Sequence, residues 1–400
     1  ARASDRTVRS RCFGAGSGRA PSAPCGRAPR AWCRPRPDTG SARLWRLSAA
    51  AFWRAVPVAV TGMRITAADV ARRAGVSQSA VSRVFTPGAS ASARTAEKVR
   101  RAAEELGYRP NVLARAMITG RSRIIGLIVA YLENQFYPLA LQLLARALKA
   151  EGYHVLVFMA SNGEDADKML DDLLDYQVDG IVTASVGMSN ALTARCAAAG
   201  IPVVMFNRGQ DGADVSSVTS ANRAGGQQVA EFLLAGGHRR LGHISGWLGA
   251  STGRDRAAGF AAGLAAAGAE PVALVDGLYR QDHAAAVARD MIRNANPDAI
   301  FVGNDHMAFA VLDTLRTDLG IDVPAEVSII GYDDVPMAAW PAYGLTTVRQ
   351  PINRMVAATV STLLAQIEAP ERPVARIELA GDLILRTSAR QPEGWHDGRL

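Results

Sequence analysis

The spacing of apolar residues along the chain changes near residue 124. Between residues 64 and 106, apolar positions recur three and four residues apart, which predicts short amphipathic helices. From Ile124 onward, apolar runs of four to seven residues alternate with longer helical stretches. That alternation is typical of a parallel sheet with helices on both faces. The sequence therefore predicts a small all-α domain followed by an α/β body.

The start of the helical region contains the capping and turn residues expected of two short helices joined by a tight turn. Thr66 is suited to cap the first helix, Gly75 to end it, and Ser77 to cap the second. We expect Ala71, Gly75 and Val81 to occupy the close contacts where the two helices cross. The pattern predicts a helix-turn-helix, although an ordinary helical hairpin with a polar outer face would read the same way.

The outer face of the second predicted helix carries polar side chains where a recognition helix presents its base-reading residues. Arg83 suits the O6 and N7 atoms of guanine, and Gln78 suits adenine. Arg72, Arg73, Arg94 and Arg101 are expected to meet phosphates or water. The candidate DNA-binding residues in this part of the chain are Thr66, Ser77, Gln78, Ser79, Ser82 and Arg83.

Charge is distributed unevenly along the chain, whose net charge is +8. Residues 1–62 contain 12 arginines, no lysine and only two acidic residues, and residues 63–123 are also strongly basic. The remainder is acidic. Such asymmetry indicates that the N-terminal part meets a polyanion and the body does not.

Residues 1–62 are rich in Arg, Pro, Gly, Ser and Ala and have little periodicity, so we expect this basic extension to be disordered. Either the native protein starts at Met63, or the extension is a nonspecific nucleic-acid arm. No apolar run is long enough for a membrane span. The cysteines show neither a disulfide framework nor metal spacing, which favours a reducing cytoplasm. We expect no cofactor.

Several motifs at fixed spacing carry a family resemblance. They are Asp69-Val-Ala-x-x-Ala-Gly-Val-Ser77, Val81-Ser-Arg-Val84, Glu105-Leu-Gly-Tyr-Arg-Pro-Asn111 and Ala114-Arg115. With these residues the chain resembles the LacI/GalR family of bacterial repressors, from about Met63 to about residue 390. The resemblance implies a helix-turn-helix domain at 63–109, a hinge helix and linker at 110–123, and a two-lobed body at 124–390. A short tail, 391–400, would follow.

The resemblance also implies a role for the hinge helix, which would fold only on DNA and place an apolar side chain in the minor groove. The family usually has Leu at the wedge position and this chain has Met117, an acceptable wedge. Met117 as a buried linker residue is the alternative. The hinge candidates are Asn111, Ala114, Arg115 and Met117.

The body is predicted to form two lobes, because its strands are too many for one ordinary doubly wound domain. The family fold is that of type I periplasmic binding proteins, with three crossings between the lobes and a ligand in the cleft. The predicted strands are Ile124–Ala130, His154–Ala160, Gly180–Ala184, Ile201–Phe206, Leu241–Ser245, Ala299–Gly303 and Val327–Gly331.

Ligands of such sheets bind at the carboxyl ends of the strands. The candidate effector-binding residues are Tyr131, Phe136, Asn207, Arg208, Arg256, Asp305 and Asp333. By resemblance, Phe136 would stack on the ligand, Arg208 and Arg256 would donate to its oxygens, and Asp305 would accept from its hydroxyls. Asp305 as a helix cap, and Asp333 as a turn or interlobe residue, are the alternatives.

An aromatic ring, the guanidinium groups of two arginines and a carboxylate together are typical of a sugar-binding site. We therefore expect a homodimeric, DNA-binding transcriptional repressor controlled by a sugar or sugar derivative, which acts on a near-palindromic operator. No catalytic or metal-binding pattern appears, so we expect neither an enzyme nor a metalloprotein. A solute-binding protein of a sugar transporter is the main alternative, opposed by the helix-turn-helix.

Overall fold

The structure is a computed structural model that describes residues 65–86, 89–109, 121–160, 173–185, 190–210, 212 and 214–395. The hinge candidates Asn111, Ala114, Arg115 and Met117 lie outside these residues, as does the extension at 1–62.

Three helices form the N-terminal domain: α1 (Ala67–Ala74), α2 (Gln78–Phe85) and α3 (Ala93–Glu105). Helix α1 begins at a reciprocal cap, since the backbone N–H of Asp69 donates to the hydroxyl of Thr66 and the Asp69 carboxylate accepts from the backbone N–H of Thr66 at 2.9 Å. The caps of α2 and α3 run one way only, since the hydroxyls of Ser77 and Ser92 accept from the backbone N–H groups of Ala80 and Thr95. Val70, Val81 and Val99 are among the residues buried between the helices.

One prediction for the turn is corrected. Gly75 does not mark a close contact, because no atom lies within 4 Å of the position that a Cβ would take there. It has a φ of 66°, in the left-handed region that glycine adopts most readily. The turn therefore needs glycine for its backbone, while the packing is supplied by Ala71 and Val81.

The body contains two sheets, each of six strands within the described residues. The N-terminal lobe has the order β11-β5-β4-β3-β1-β2, with parallel pairing throughout. Its strands are β1 (Ile124–Val129), β2 (His154–Met159), β3 (Gly180–Ala184), β4 (Val203–Phe206), β5 (Ser216–Ser220) and β11 (Arg376–Leu379).

The C-terminal lobe has the order β12-β10-β9-β8-β6-β7, and only β12 runs antiparallel to its neighbour. Its strands are β6 (Leu241–Ser245), β7 (Ala273–Asp276), β8 (Ala299–Val302), β9 (Ser328–Asp333), β10 (Thr346–Arg349) and β12 (Asp382–Ile384). The chain passes between lobes after β5, after β10 and after β11. The predicted two lobes with three crossings are thus confirmed.

Helices cover these sheets as the pattern predicts. They are α4 (Phe136–Ala150), α5 (Asn190–Ala198), α6 (Asn222–Ala235), α7 (Ser251–Ala266), α8 (Gln281–Ala295), α9 (Asp305–Asp313) and α10 (Ile352–Glu368). A π-helical turn, Thr314–Asp318, continues α9. Helices α6 and α7 cross so closely that a Cβ on Gly226 would lie 2.2 Å from the carbonyl oxygen of Arg256. This approach explains Gly226, whereas a Cβ on its neighbour Gly225 would meet the ring of Tyr332, 2.8 Å from Cε2.

The C-terminal residues of the described chain belong to the body. Trp395 is buried and packs edge-on against Phe232 of α6, with ring centroids 5.1 Å apart. The polar tail predicted after Arg390 therefore begins with a segment that completes the core of the C-terminal lobe.

Candidate functional site

The exposed face of α2 carries the candidate base-reading residues. Gln78, Ser79 and Arg83 are exposed and Ser82 is half-buried. The Arg83 Nε donates to the backbone carbonyl oxygen of Ser79 at 3.4 Å, so its side chain lies back along the helix. A contact this long is weak. The guanidinium can therefore leave it for a stronger acceptor on DNA.

Thr66 and Ser77, also candidates for DNA contact, use their hydroxyls within the protein. The Thr66 hydroxyl donates to the Asp69 carboxylate at 2.7 Å. The Ser77 hydroxyl oxygen accepts from the backbone N–H of Ala80 at 3.2 Å and lies 3.0 Å from the Ser79 hydroxyl oxygen. Both residues therefore stand at the amino-terminal end of a helix, a position that attracts anions.

Three of the arginines expected to meet phosphates or water are ion-paired in the structure. Arg72 pairs with Asp69 at 3.3 Å, while Arg73 and Arg101 both pair with Glu105, at 2.5 Å and 3.0 Å. These pairs are exposed, and exposed pairs contribute little free energy. They hold the guanidiniums at the surface of α1 and α3 without preventing an exchange to phosphate.

The cleft is built from residues at the carboxyl ends of the strands, several of which have a left-handed backbone. Ser185, Asn207, Tyr279 and Asp333 follow or end β3, β4, β7 and β9, with φ values of 66°, 69°, 57° and 129°. Residues other than glycine adopt this backbone region at a cost in free energy, and such residues cluster at ligand-binding sites. The turns bring side chains from both sheets to the space between the lobes.

On the N-terminal side of the cleft, Asn207 and Arg208 lie beside a group of tyrosines. The Asn207 Nδ2 donates to the Tyr137 hydroxyl at 3.2 Å, and the Arg208 Nη1 donates to the carbonyl oxygen of Ser185 at 2.5 Å. Tyr131 meets Tyr137 edge-on, with centroids 5.4 Å apart. Burial, followed by the neighbouring Tyr137, raises the pKa of Tyr131 well above its usual value, so this phenol stays protonated.

Phe136 lies behind this surface. It is 2% exposed, and its ring stacks on Phe206 with centroids 6.2 Å apart while meeting Tyr137 edge-on. Phe136 was expected to stack on the ligand. In this structure it instead packs in the core and supports Tyr137.

On the C-terminal side, Arg256 and Asp333 form the charged centre of the cleft. The Arg256 Nη1 lies 3.6 Å from the Asp333 carboxylate, and both side chains are 3% exposed. The Arg256 Nε donates to Asn222 Oδ1 at 2.8 Å, and its guanidinium carbon lies 3.7 Å from the centre of the Tyr332 ring. Burial raises the pKa of Asp333, while Arg256 beside it lowers it in part.

Asp305 has an internal position. It is fully buried, and its two carboxylate oxygens accept from the Thr347 hydroxyl at 2.6 Å and the backbone N–H of Val335 at 2.9 Å. Burial, followed by repulsion from Asp333, raises its pKa to about 8. Asp305 was expected to accept from effector hydroxyls. Because both oxygens are used within the C-terminal lobe, the structure instead favours the alternative of a structural carboxyl.

The two lobes touch across the cleft. The Asn134 Nδ2 donates to Asp333 Oδ2 at 3.3 Å, and the backbone N–H of Gly209 donates to the Ser251 hydroxyl at 3.0 Å. The Arg208 guanidinium lies over the Tyr279 ring of the other lobe, 5.7 Å from its centroid. A ligand held here is therefore contacted by both lobes.

Among the described residues, the buried polar atoms around the cleft without a hydrogen-bond partner include Gln350 Oε1, whose amide nitrogen donates to Asp333. Two others, on consecutive residues of the N-terminal lobe, are Asn207 Oδ1, an acceptor, and Arg208 Nε, a donor. Leaving such groups unpaired costs about 1–3 kcal/mol each. A ligand hydroxyl can donate to the first and accept from the second, so the pair matches a polyhydroxylated molecule.

Several residues of the cleft were not among the sequence candidates. Tyr279, Asn222 and Tyr332 surround Arg208 and Arg256. Tyr279 was missed because its strand, β7, is only four residues long and was not predicted. Asn222 stands at the first crossing, where polar character alone gave no reason to choose it.

Family comparisons match both parts of the chain. Residues 66–111 match the family described as "Bacterial regulatory proteins, lacI family", and residues 230–389 match one described as "Periplasmic binding protein-like domain". The HTH-type transcriptional regulator CelR of Thermobifida fusca is 32% identical over 81% of this chain and 98% of its own length. The HTH-type transcriptional regulator MalR of Streptomyces coelicolor is 31% identical over 82% and 97%.

Solved structures agree. A lac repressor dimer bound to operator and the anti-inducer ONPF superimposes with a TM-score of 0.74 at 26% identity, covering 81% of this chain and 98% of that one. A complex of the transcriptional regulator CelR with cellobiose gives 0.62 at 30% identity, covering 81% and 100%. None of these relatives is described as an enzyme or as a transport protein.

In the described part of the chain, no helix is long and apolar enough to cross a membrane. The chain belongs to the LacI family and is a helix-turn-helix transcriptional regulator.

Proposed function

We propose that this regulator is a sugar-responsive repressor whose effector binds between the lobes, and that it acts in the cytoplasm by binding rather than by catalysis. The observation that carries the proposal is the unpaired donor and acceptor in the cleft, Arg208 Nε and Asn207 Oδ1. Solved relatives include complexes described with cellobiose and with D-xylulofuranose. Both are polyhydroxylated molecules of the kind that this pair suits.

The proposed contacts divide between the two lobes. Asn207 and Arg208 would hold the effector from the N-terminal lobe, with Tyr131 at the edge of the site. Arg256 and Asp333 would hold it from the other side, where Arg256 donates and Asp333 accepts. Phe136 and Asp305 would support the site without touching the ligand.

On DNA, α2 would enter the major groove with Gln78, Ser79 and Arg83 toward the bases. Ser82 would lie at the edge of this contact, and Thr66 and Ser77 would place helix ends near phosphates. We further propose the domain limits 63–109, 110–123 and 124–390, with Asn111, Ala114, Arg115 and Met117 acting in the hinge.

A homodimer is proposed from the outer edges of the two sheets. Strand β2 exposes Val157 by 46% and Met159 by 51%, and β7 exposes Leu274 by 42% and Val275 by 38%. Apolar side chains on an edge strand favour association with another chain. A second copy that covers these edges would bring two recognition helices to a near-palindromic site, as in the operator-bound dimer of the lac repressor.

The two sites would be coupled through the lobe contacts. A ligand that binds both lobes favours the arrangement in which Asn134 meets Asp333, and it thereby shifts the population of lobe positions. Because the hinge at 110–123 immediately precedes β1, such a shift would alter how the DNA-binding domains are held. The effect on DNA affinity is then a coupling free energy between two sites.

Thermal unfolding of the full chain against pentoses, hexoses, disaccharides, sugar acids and nucleobases tests the proposed class of effector. A ligand at about 100 times its dissociation constant adds about 2.7 kcal/mol to the free energy of unfolding and raises the midpoint by several degrees. A rise with one or more sugars is expected. A rise with nucleobases alone, or with no compound of the panel, would contradict a sugar effector.

A further inference from the structure

A second cavity opens beside the proposed effector site, toward the outside of the cleft. It has a volume of about 480 Å³ and lies between the loop after β1 and the loop after β7. Its lining includes Tyr131, Glu133, Leu278, Tyr279, Gln281 and His306. We call it the mouth cavity. Its volume lies within the range of pockets that hold small organic ligands, about 300–1,000 Å³.

Two tyrosines separate the mouth cavity from the inner cleft. Tyr279 lines the mouth and also lies beneath the guanidinium of Arg208. Its hydroxyl is fixed 2.7 Å from the hydroxyl of Thr252. Tyr131 lines the mouth and meets Tyr137, the partner of Asn207. The mouth cavity and the inner cleft therefore lie on opposite sides of these two side chains.

The lining combines apolar faces with hydrogen-bonding groups, and the arginine in it, Arg280, is paired with Asp282. Leu278 has a φ of 57° and remains 42% exposed, which places an apolar side chain at the surface of the cavity. Gln281 is oriented by its hydrogen bond to the carbonyl oxygen of His306, at 3.0 Å. Sugar rings present an apolar C–H face and a rim of hydroxyls. A lining of rings, one aliphatic side chain and planar polar groups matches both features.

The charges of the mouth disfavour an anionic ligand. Arg280 is held by Asp282 through two contacts, at 2.6 Å and 3.1 Å, so its charge is compensated. Glu133 is exposed and has no ion-pair partner among the described residues. Burial lowers the pKa of His306 while Glu133 raises it in part, leaving a net decrease and a neutral imidazole at neutral pH. The surface that remains is acidic.

We infer that the effector is a neutral oligosaccharide of at least two rings, with one ring in the inner cleft and the next in the mouth cavity. This inference rests on the proposed sugar-binding function. The outer ring would pack against Tyr131, Tyr279 and Leu278, and its hydroxyls would reach Glu133 and Gln281. A phosphate or carboxylate on this ring would lie close to Glu133 and be repelled.

Isothermal titration calorimetry of the full chain tests the inference with matched sugars. The probes are cellobiose, maltose and lactose, each compared with glucose and galactose, and cellobionate and glucose 6-phosphate as anionic counterparts. At least one neutral disaccharide is expected to bind ten times or more tightly than its component monosaccharides, and more tightly than either anion.

Two variants test whether the higher affinity for a disaccharide comes from the mouth cavity. Glu133→Ala removes an exposed acid of the mouth, and Leu278→Gly removes the apolar side chain at a position whose left-handed backbone glycine accepts. Each is expected to reduce the disaccharide-to-monosaccharide affinity ratio at least threefold. Glu270→Ala, at an exposed glutamate outside the cavity, is the matched control and should leave the ratio unchanged.

The outcomes separate this inference from the function on which it rests. A monosaccharide that binds as tightly as every disaccharide would overturn the inference while supporting a sugar effector. Tighter binding of an anionic sugar would overturn it in the same way. A disaccharide preference unaffected by both mouth variants would place the second ring elsewhere. If no sugar of either size bound, the proposed function itself would fail.

Discussion

At the scale of single residues, the cleft shows which polar groups are satisfied within one lobe and which join the two lobes. Asp305 and Asp333 are both buried carboxylates near strand ends, yet Asp305 is satisfied within its own lobe while Asp333 is contacted from both lobes. Sequence reasoning placed both in the site. It could not separate them, because the distinction depends on Thr347 and Val335, which lie far away in the chain.

Asn207→Gly tests the ligand-facing role of the amide. Asn207 has a φ of 69°, so glycine keeps the backbone while the side chain is removed. Affinity for the effector is expected to fall by about 1–3 kcal/mol, the cost of a buried hydrogen bond to the ligand. Asn296→Gly is the matched control, at an exposed left-handed position at the end of α8. Equal loss of affinity in both variants, measured by calorimetry, would show that the effect is not local to the cleft.

His243 predicts a specific dependence of stability on pH. It is fully buried and stacks on Phe301 with centroids 4.6 Å apart, and burial lowers its pKa to about 4. Its folded pKa lies below the unfolded value of about 6.5, so the unfolded state binds the proton first. The stability that the neutral ring contributes is present at pH 7 and is lost as the pH falls from 6.5 toward 4.

His243→Asn isolates this contribution, since Asn can still donate an N–H near the position of Nδ1. From pH 7 to pH 5 the wild type should lose about 2 kcal/mol more than the variant in urea unfolding. The difference between the proteins is the readout, because the raised pKa of Asp305 acts in the opposite direction in both. His154→Asn, at an exposed histidine, should match the wild type. An unchanged slope in His243→Asn would mean that His243 does not titrate as described.

At the scale of elements, the sequence predicted caps and apolar strands well and the short or polar strands poorly. Thr66, Ser77 and Ser92 cap the three N-terminal helices as expected. Five strands were missed: β5, β7, β10, β11 and β12. Strand β5 reads Ser-Ser-Val-Thr-Ser and β12 has three residues, so neither presents an apolar run. Their pairing is set by neighbours from distant parts of the chain, which local periodicity does not record.

We expect Arg83 of helix α2 to contact a DNA base, and not only the phosphate backbone of the DNA. Arg83→Ala is expected to relax specificity at one base pair of each half-site, at a cost of about 1–3 kcal/mol there. Arg94→Ala, at an exposed arginine in the first turn of α3, is the control and should weaken all sequences alike or have no effect. Binding to a randomised DNA library at fixed salt gives both profiles. A uniform loss with Arg83→Ala would identify that residue as a phosphate contact.

At the scale of the whole molecule, the fold class followed from the change in hydrophobic period and from the family motifs, and family membership is confirmed. The division of the cleft between lobes did not follow. Asn134 and Asp333 are 199 positions apart, a separation far longer than any local sequence motif. The mouth cavity likewise exists only because the loops after β1 and β7 meet in space.

The proposed regulator couples the binding of a sugar in the cleft to its affinity for operator DNA. The most direct measurement is the affinity of the full chain for a selected operator, with and without a saturating sugar that calorimetry shows to bind. We expect the operator affinity to change about 5–150-fold in either direction, and to change much less in Asn207→Gly at the same sugar concentration. An operator affinity that stays constant while the sugar is bound would contradict a coupling between the two sites.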